Sequence, residues 1–451
     1  MSNLLGRRAV VIGAGIGGLA TAGVLANHFE QVDVLERDLL GGEPASRPGT
    51  PQDRHPHGLL VGGLRALDEI FPGFERDLAA AGGVYVETGQ DLRFERPDFG
   101  TLPRRDFNIW GLGASRPLID NTLRRKARAV ANITLWSECR VLEIVPMADR
   151  SGVKGVRFEN LSGLVEEIDA DLVVDASGRG ALTLALFDAI GRQRPAITEV
   201  GIDISYATAI VEAPSVPPTD WKVVATLPNP PETLLHAVIL PAEGNRWYAL
   251  IADHGRPSQL QDWPGFLEEL RRLHTSTMYD ALRRLPPPEN IRHYGFPASF
   301  WRHFERLPDL PRGILPIADA VCRFNPIYGQ GMSSAAGQAR LLQRVLGRVA
   351  DEPDPLAAAQ AGFMAEIGSV LQTPWIMSTS ADLAFPGTRG ERPEGFEEGR
   401  QYEAAAFRAA AVDPIVHRTL LEVSQLLKPI DVLHAPEMKQ RIEAAAVKMS
   451  A

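Results

Sequence analysis

Gly13, Gly15 and Gly18 stand in the spacing G-x-G-x-x-G, and Glu36 follows eighteen positions after the last of them. Glycines in that order let backbone N–H groups approach a pyrophosphate, and a carboxylate at that distance can accept hydrogen bonds from ribose hydroxyls. The chemistry indicated is the binding of a dinucleotide. A glycine triplet alone is weak evidence, so the surrounding elements have to supply the rest. Arg8 to Ile12 (RAVVI) is a short β-branched strand ending at Gly13, and from Ile16 onward the apolar residues take helical spacing. Gln31 to Leu35 (QVDVL) is a second strand that delivers Glu36 at its end. Gly13 permits the tight turn, Gly15 the close approach of backbone to phosphate, and Gly18 the packing of helix on strand. The helix N-terminus adds free N–H groups and a positive dipole end. On hydropathy alone, Ala9 to Ala26 behind Arg7 and Arg8 imitates a signal peptide or a membrane span. Its five glycines make an uninterrupted spanning helix weak.

Two later segments indicate which dinucleotide. Ala170 to Arg179 (ADLVVDASGR) is an apolar strand ending in a small-residue turn, as expected where backbone lies close to a ligand. Gly313 to Ala336 (GILPIADAVCRFNPIYGQGMSSAA) reads as strand, Asp319, a turn with Pro326, Gly329 and Gly331, then a small-residue helix. Asp319 is placed to bind ribityl hydroxyls. A helix beginning near Gly331 favours negative charge at its N-terminus, which reduced flavin carries at N1 and O2. Ser333, Ser334, Ala335 and Ala336 keep that helix slim.

These segments, with ASRPLIDNTLRR around Arg116, resemble the flavoprotein monooxygenases of the para-hydroxybenzoate hydroxylase fold over most of the chain. RPGTPQDRHPHGLL (47–60), FPGFERDL (71–78) and TPWIMSTSADLAFPGTR (373–389) are similar to the epoxidases of polyether ionophore biosynthesis, such as those for lasalocid and monensin, and more distantly to squalene epoxidase. The resemblance implies FAD, with its pyrophosphate at Gly13, Gly15 and Gly18, its adenosine ribose at Glu36 beside Arg37, and a further contact at Arg116. It also implies ribityl binding at Asp319, and Pro326, Gly329, Gln330, Gly331 and Met332 beside the isoalloxazine ring. NADPH or NADH is the implied electron donor, directly or through a separate flavin reductase. Two departures stand out. The family's Gly-Asp pair is Ala318-Asp319, and its Asp-Gly motif for NADPH is Ser177-Gly178 with Asp175 two positions early, which leaves direct reduction open.

The activity implied is insertion of one oxygen atom from O2 through a flavin C4a-hydroperoxide. Epoxidation of an alkene in an apolar polyketide or terpenoid-like substrate is expected ahead of aromatic (phenol) hydroxylation. A flavin reductase saturating isoprenoid double bonds is a further alternative. An alkene can attack the electrophilic oxygen without a protein base, whereas a phenol is helped by one. The candidates for proton transfer are His55 and His57, in a loop the family places near the cofactor, and Asp382, which follows Trp375. Tyr328, Phe324 and Trp110 are candidate cavity walls. The W-x-W segment of flavin halogenases is absent.

The chain has 451 residues, 45% hydrophobic and 23% charged, which is ordinary globular composition. Its net charge of -9 and lack of a basic face argue against nucleic acid as a partner. Cys139 and Cys322 lack the spacing of a disulfide framework or a metal site, so a reducing, cytoplasmic setting with no transmembrane segment is expected. The expected fold class is α/β: a Rossmann-type FAD-binding domain interleaved with a β-sheet substrate domain, plus a helical C-terminal region. The expected boundaries are 1–85, 115–192 and 291–350 for the FAD-binding domain, 86–114 and 193–290 for the substrate sheet, and 351–451 for the helices. Ile202 to Val211, Trp221 to Leu227, His236 to Leu240 and Arg246 to Ala252 are predicted strands. Trp263 to Leu285 is a predicted helix. Leu420, Leu421, Val423, Leu426 and Leu427 form a predicted apolar helical face.

Overall fold

The computed structural model describes residues 4–214, 219–254 and 260–450, with side chains to 446. Gly6–Ile12 is the central strand of a five-stranded parallel sheet, ordered in space Ile314–Pro316, Leu172–Asp175, Gly6–Ile12, Phe29–Leu35, Ile133–Trp136. A parallel sheet needs cover on both faces, and the alternation along the central strand supplies it. Ala9 and Val11 pack beneath the helix Ile16–Leu25, whose ten residues are all buried, and the helix Gly331–Leu346 lies in the same core. Val10 and Ile12 point the other way, against Val156 and Phe158 of a three-stranded antiparallel sheet and Leu186 of the helix Ala181–Ile190. The central strand has the next strand in sequence on one side and Leu172–Asp175, from a distant part of the chain, on the other, which makes its C-terminal end the switch point where ligands bind in such sheets.

An eight-stranded mixed sheet forms the second layer, ordered Cys322–Arg323, Ile291–Arg302, Ile197–Glu212, Arg246–His254, His236–Ala242, Val223–Thr226, Leu92–Arg96, Gly100–Thr101. The turn Glu243-Gly244-Asn245 joins its central hairpin, with both Gly244 and Asn245 at positive φ. The strand Ile291–Arg302 pairs with Ile197–Glu212 along almost its whole length. The sheet therefore takes in a segment that the expected boundary at 290 leaves to the cofactor domain.

Two sequence expectations are corrected. Trp263 to Leu285 is two helices, Trp263–Leu270 and Thr277–Leu282. The chain between them is held off a helical path by Glu95, a fully buried carboxylate that accepts the hydroxyls of Thr275 and Thr277, each at 2.6 Å. The apolar face from Leu420 to Leu427 is cut short, since the helix Pro414–Ser424 ends before Leu426, which takes φ 54°. What remains of that face is buried inside the protein, with Leu421 against Val61, Phe107 and Ile109, and Leu420 in the core between the C-terminal helices. Among the described residues no helix is long and apolar enough to cross a membrane.

Glu95 also accepts Thr226 Oγ1 at 2.9 Å and Arg93 Nε at 2.5 Å. Burial pushes its carboxyl up, but these four hydrogen bonds prevail and hold it below the usual glutamate value. Glu95→Ala strands the buried Thr226 hydroxyl and the half-buried hydroxyls of Thr275 and Thr277 and is expected to cost about 2–4 kcal/mol, read as a lower denaturant midpoint. Because the folded pKa is lowered, the contribution of Glu95 is complete above the ordinary glutamate pKa. It is lost as the pH falls through the folded value, and the wild-type–variant difference should shrink in acid.

Candidate cofactor and active site

At the end of the central strand the backbone turns at Gly13, which takes φ 101°, and a Cβ there would sit 2.8 Å from the Ala176 carbonyl. A Cβ on Gly18 would lie 1.9 Å from the Gly13 carbonyl, so the helix packs on the turn only because both residues are glycine. Gly15 differs: no protein atom lies within 4 Å of its would-be Cβ. The space over Gly15 is open, at the N-cap of a helix whose first N–H groups face it.

Three other segments reach this point. Leu172–Asp175 ends beside Gly13, where Asp175 is wholly engaged, accepting Ser177 N–H (3.0 Å) and Oγ (2.6 Å), and Thr183 N–H (3.2 Å) and Oγ1 (2.6 Å). The second, Ile314–Pro316, leads into Ala318, which takes φ 57° where the family's glycine would be free to do so. The Ala318 methyl would stand 2.6 Å from a Cβ on Gly17, which explains a glycine outside the G-x-G-x-x-G spacing. Asp319 is half-buried and accepts no hydrogen bond among the described residues. Burial pushes its carboxyl up, opposed by the charges of Arg323 and Arg116. The last segment is the turn Pro326–Gly331, with Gly329 at φ 67°, and the helix Gly331–Leu346 starts at a glycine with open space over its Cβ position. Gln330 is buried with Oε1 unpartnered, and Met332 is buried in the core beneath. Open space at Gly15 and Gly331, an unengaged Asp319 and an orphaned Gln330 acceptor together fit a flavin dinucleotide lying across these turns. Gly15 would adjoin its pyrophosphate, Asp319 its ribityl chain, and Gln330 and Gly331 its ring.

Glu36 is buried and its carboxylate accepts Ala14 N–H at 2.8 Å and Asp38 N–H at 3.1 Å, so it braces the phosphate turn directly. Arg47 brings Nη1 to 3.4 Å from Glu36 and Nη2 to 3.0 Å from Asp120, which also takes Arg116 Nε at 2.6 Å. Arg37 is exposed at the rim. This ionic cluster was legible only in part, since Arg47 and Asp120 lie in two of the segments that carry the resemblance but are joined to each other across 73 residues.

His55 and His57 lie beside this cluster. His55 Nδ1 is 2.7 Å from Thr208 Oγ1, and His57 Nδ1 donates to the His55 carbonyl at 2.8 Å. Burial pushes His55 down to about 4, and burial with the nearby Arg116 charge pushes His57 down to about 3. Both imidazoles are therefore neutral at pH 7. His55 also faces Arg54, Arg292 and His293 across a cavity of about 650 Å³.

Asp382 is far from the histidines in sequence and lies in a separate buried network, in which Tyr206 also stands edge-on to the His55 ring with centroids 6.1 Å apart. It is fully buried on the helix Pro355–Leu383 and accepts Tyr328 OH and Asn325 Nδ2, both at 2.8 Å, at Oδ1. Tyr206 OH donates to Asn325 Oδ1 at 2.9 Å, and His254 Nε2 lies 3.8 Å from Asp382. Among the described residues Oδ2 of Asp382, Ser378 Oγ one turn earlier and both ring nitrogens of His254 have no hydrogen-bond partner. Burial pushes the Asp382 carboxyl above the usual carboxylate range, against the nearby His254 ring and the hydrogen bonds from Asn325 and Tyr328. Of the expected cavity walls, Tyr328 belongs to this network. Phe324 is buried in the cofactor core, and Trp110 is 42% exposed on the small sheet Gly58–Leu59, Trp110–Gly113, Val84–Glu87.

Two outcomes follow from the glycine geometry. Gly15→Val meets no protein atom, so it should fold with an unchanged circular dichroism spectrum yet purify colourless, since the side chain fills the phosphate space. A yellow variant would refute the assignment. Ala318→Gly relieves a left-handed alanine and should raise the unfolding free energy by about 0.5–1 kcal/mol in a denaturant titration.

No protein-family model matches the chain. It is 32% identical to Protein Rv3254 of Mycobacterium tuberculosis over 436 residues, 93% of this chain and 89% of that protein. It is 25% identical to the squalene monooxygenase of Mus musculus over 360 residues, 78% of this chain and 57% of that protein. Among solved structures, the flavin-dependent brominase Bmp2 superposes with a TM-score of 0.66 at 13% identity, covering 99% of both chains. The p-nitrophenol 4-monooxygenase PnpA of Pseudomonas putida DLL-E4 superposes with a TM-score of 0.63 at 17% identity, over 95% of this chain and 100% of that one. The chain therefore belongs to the family of Protein Rv3254 and has a fold related to the FAD-dependent monooxygenases of the para-hydroxybenzoate hydroxylase type.

Proposed function

We propose that the protein is an FAD-dependent monooxygenase that inserts one oxygen atom into a small organic substrate, and that the substrate is an aromatic ring bearing a hydroxyl. The observation that carries this reading is the buried Tyr328–Asp382 pair beside the Gly329–Gly331 turn, with Asp382 Oδ2 left free. FAD, when bound, supplies the activation of O2. The protein's share is to bind the ring against the flavin site, keep water out and take the proton of the ring hydroxyl, which makes the ring carbon a better nucleophile. Asp382 suits that task because its raised pKa brings it closer to the proton it accepts, while Asn325 and Tyr206 hold it in place.

A hydrocarbon alkene, expected first from the sequence, has no use for this set of unpartnered polar groups. The fold likeness to a nitrophenol monooxygenase supports the phenol, and the likeness to squalene monooxygenase supports epoxidation as a second reading. NADPH or NADH is proposed as the electron donor, with Arg54, Arg292 and His293 at the open cavity to receive its phosphates. His55 and His57, neutral and tied to Thr208 and to each other, are proposed to order the loop over the cofactor.

The test is to supply 18O2 and NADPH or NADH, with and without an added flavin reductase, to phenols and to apolar alkenes. One 18O atom in a hydroxylated phenol is the expected product. Asp382→Asn should lower kcat on phenols by about 10²–10⁴ with FAD still bound. The rise of wild-type kcat with pH, through an ionisation above the usual carboxylate range, should vanish in the variant. Alkene epoxides as the sole products, with Asp382→Asn unaffected, would establish the second reading instead.

A further inference from the structure

Arg323 stands on the short strand Cys322–Arg323 at the edge of the eight-stranded sheet, paired with Phe300 of Ile291–Arg302. Successive side chains of a strand point to opposite faces. Cys322 and Phe324 enter the core of the cofactor layer, so Arg323 points the other way. There its guanidinium lies over the Phe296 ring, 4.7 Å from the centroid, and Phe296 packs in one cluster with Tyr206. Arg323 makes no hydrogen bond and no ion pair among the described residues. Its charge reaches both Asp319 and Tyr206, where it opposes the upward push of burial on their proton affinities, so it stands between the two.

The space before it is open. Asp319, Arg323, Ile327 and Tyr328 all keep accessible surface. Asp319 and Tyr328 are nevertheless deep enough that burial is the largest influence on their proton affinities and pushes both up. Side chains that are deep and still accessible line a recess rather than the outer surface. Asp319 stands at the cofactor end of this recess, and Tyr328, bonded to Asp382, at the other. Arg323 is the one cation of the four, shielded on one side by the Phe296 ring, with its planar fork of N–H donors free. The phosphates of FAD are accounted for at the Gly15 turn and its ribityl chain at Asp319, so the charge left for Arg323 to meet is one that the substrate brings. A carboxylate matches the fork with two parallel hydrogen bonds.

We propose that Arg323 is a specificity-determining residue that pairs with a carboxylate on the substrate, so that the phenol taken by this site is a hydroxyaryl carboxylic acid. The proposal rests on the phenol reading given above, in which Asp382 and Tyr328 meet the ring hydroxyl.

The experiment titrates the holoenzyme by calorimetry with hydroxybenzoate, hydroxyphenylacetate and hydroxyphenylpropionate, and with the amide of each, in wild type, Arg323→Met and Arg323→Lys. The best acid is expected to bind wild type tighter than its own amide by about tenfold or more, about 1.4 kcal/mol per tenfold. Arg323→Met should erase that preference by weakening the acid while the amide stays within about twofold. Arg323→Lys, which keeps the charge without the fork, should fall between. Acid and amide of equal affinity in wild type, binding of neither, or a preference that survives Arg323→Met would overturn the proposal. So would an equal weakening of acid and amide, which signals general damage, and a loss of FAD affinity of about tenfold, which would make Arg323 a ligand of the cofactor. If the methionine variant does not fold, Arg323→Gln is judged by the same ratio of acid to amide. Wild type that prefers the acids through Arg323 but oxygenates none of them would count against the proposed function alone, whereas wild type that oxygenates acids and amides alike, with equal affinity, would count against Arg323 alone.

Discussion

A phosphate group approached by backbone N–H donors tolerates no side chains between the donors and the ligand, and this steric condition organises the molecule. Gly13 and Gly18 are pressed together so closely that a single methyl at either would meet a carbonyl oxygen at 2.8 or 1.9 Å. With the turn closed that tightly, the helix Ile16–Leu25 lies flat on the central strand, and all ten of its residues are buried. Gly17 carries the same condition to the far side, where the Ala318 methyl takes the space a Cβ would need. The ends of strands from residues 12, 175 and 316 are thereby drawn to one spot, and the helix starting at Gly331 is set above it.

Charge is the second organising quantity. The rim of the pocket holds Glu36, Asp38, Asp120, Arg47 and Arg116 in buried or nearly buried contact. Ions removed from water are tolerable only in such mutual arrangements. Glu36 illustrates the point, since it accepts two backbone N–H groups and lies against a guanidinium. A residue expected from its spacing to wait for a ribose is also a structural brace of the turn.

The opposite wall of the site follows different physics. The eight-stranded sheet and the helix Pro355–Leu383 enclose Tyr206, Asn325, Tyr328, His254 and Asp382, a polar group of unusual depth with several unpaired atoms. Buried polar atoms without partners are costly, and they persist where a ligand completes them. The adjacent core, by contrast, is filled by apolar residues such as Ile204, Phe296 and Leu383. His55 and His57, the histidines most visible in the sequence, are held neutral by burial and tied to Thr208 Oγ1 and the His55 carbonyl.

The strand–turn–helix unit, the acid at 36, Asp319 and the helix at Gly331 were readable in the amino-acid order. Each is a local pattern whose conformation depends on neighbours a few residues away. The two layers were readable for the same reason, through alternation and turn residues. What the order left open was every property that depends on a distant partner. The break after Leu270 exists because Glu95, some 180 residues earlier, captures Thr275 and Thr277. Asp382 meets Tyr328 across 54 residues, and Arg47 meets Asp120 across 73. Burial decides which of these side chains are paired, which are left bare and which shift their proton affinity, and burial is settled only when the layers close. The sequence thus determined the strand–turn–helix unit and the tight glycine turn at its centre. Only the tertiary structure decided that Tyr206, Asn325, Tyr328 and Asp382 meet in one buried polar network, because that network is assembled from residues no single segment contains.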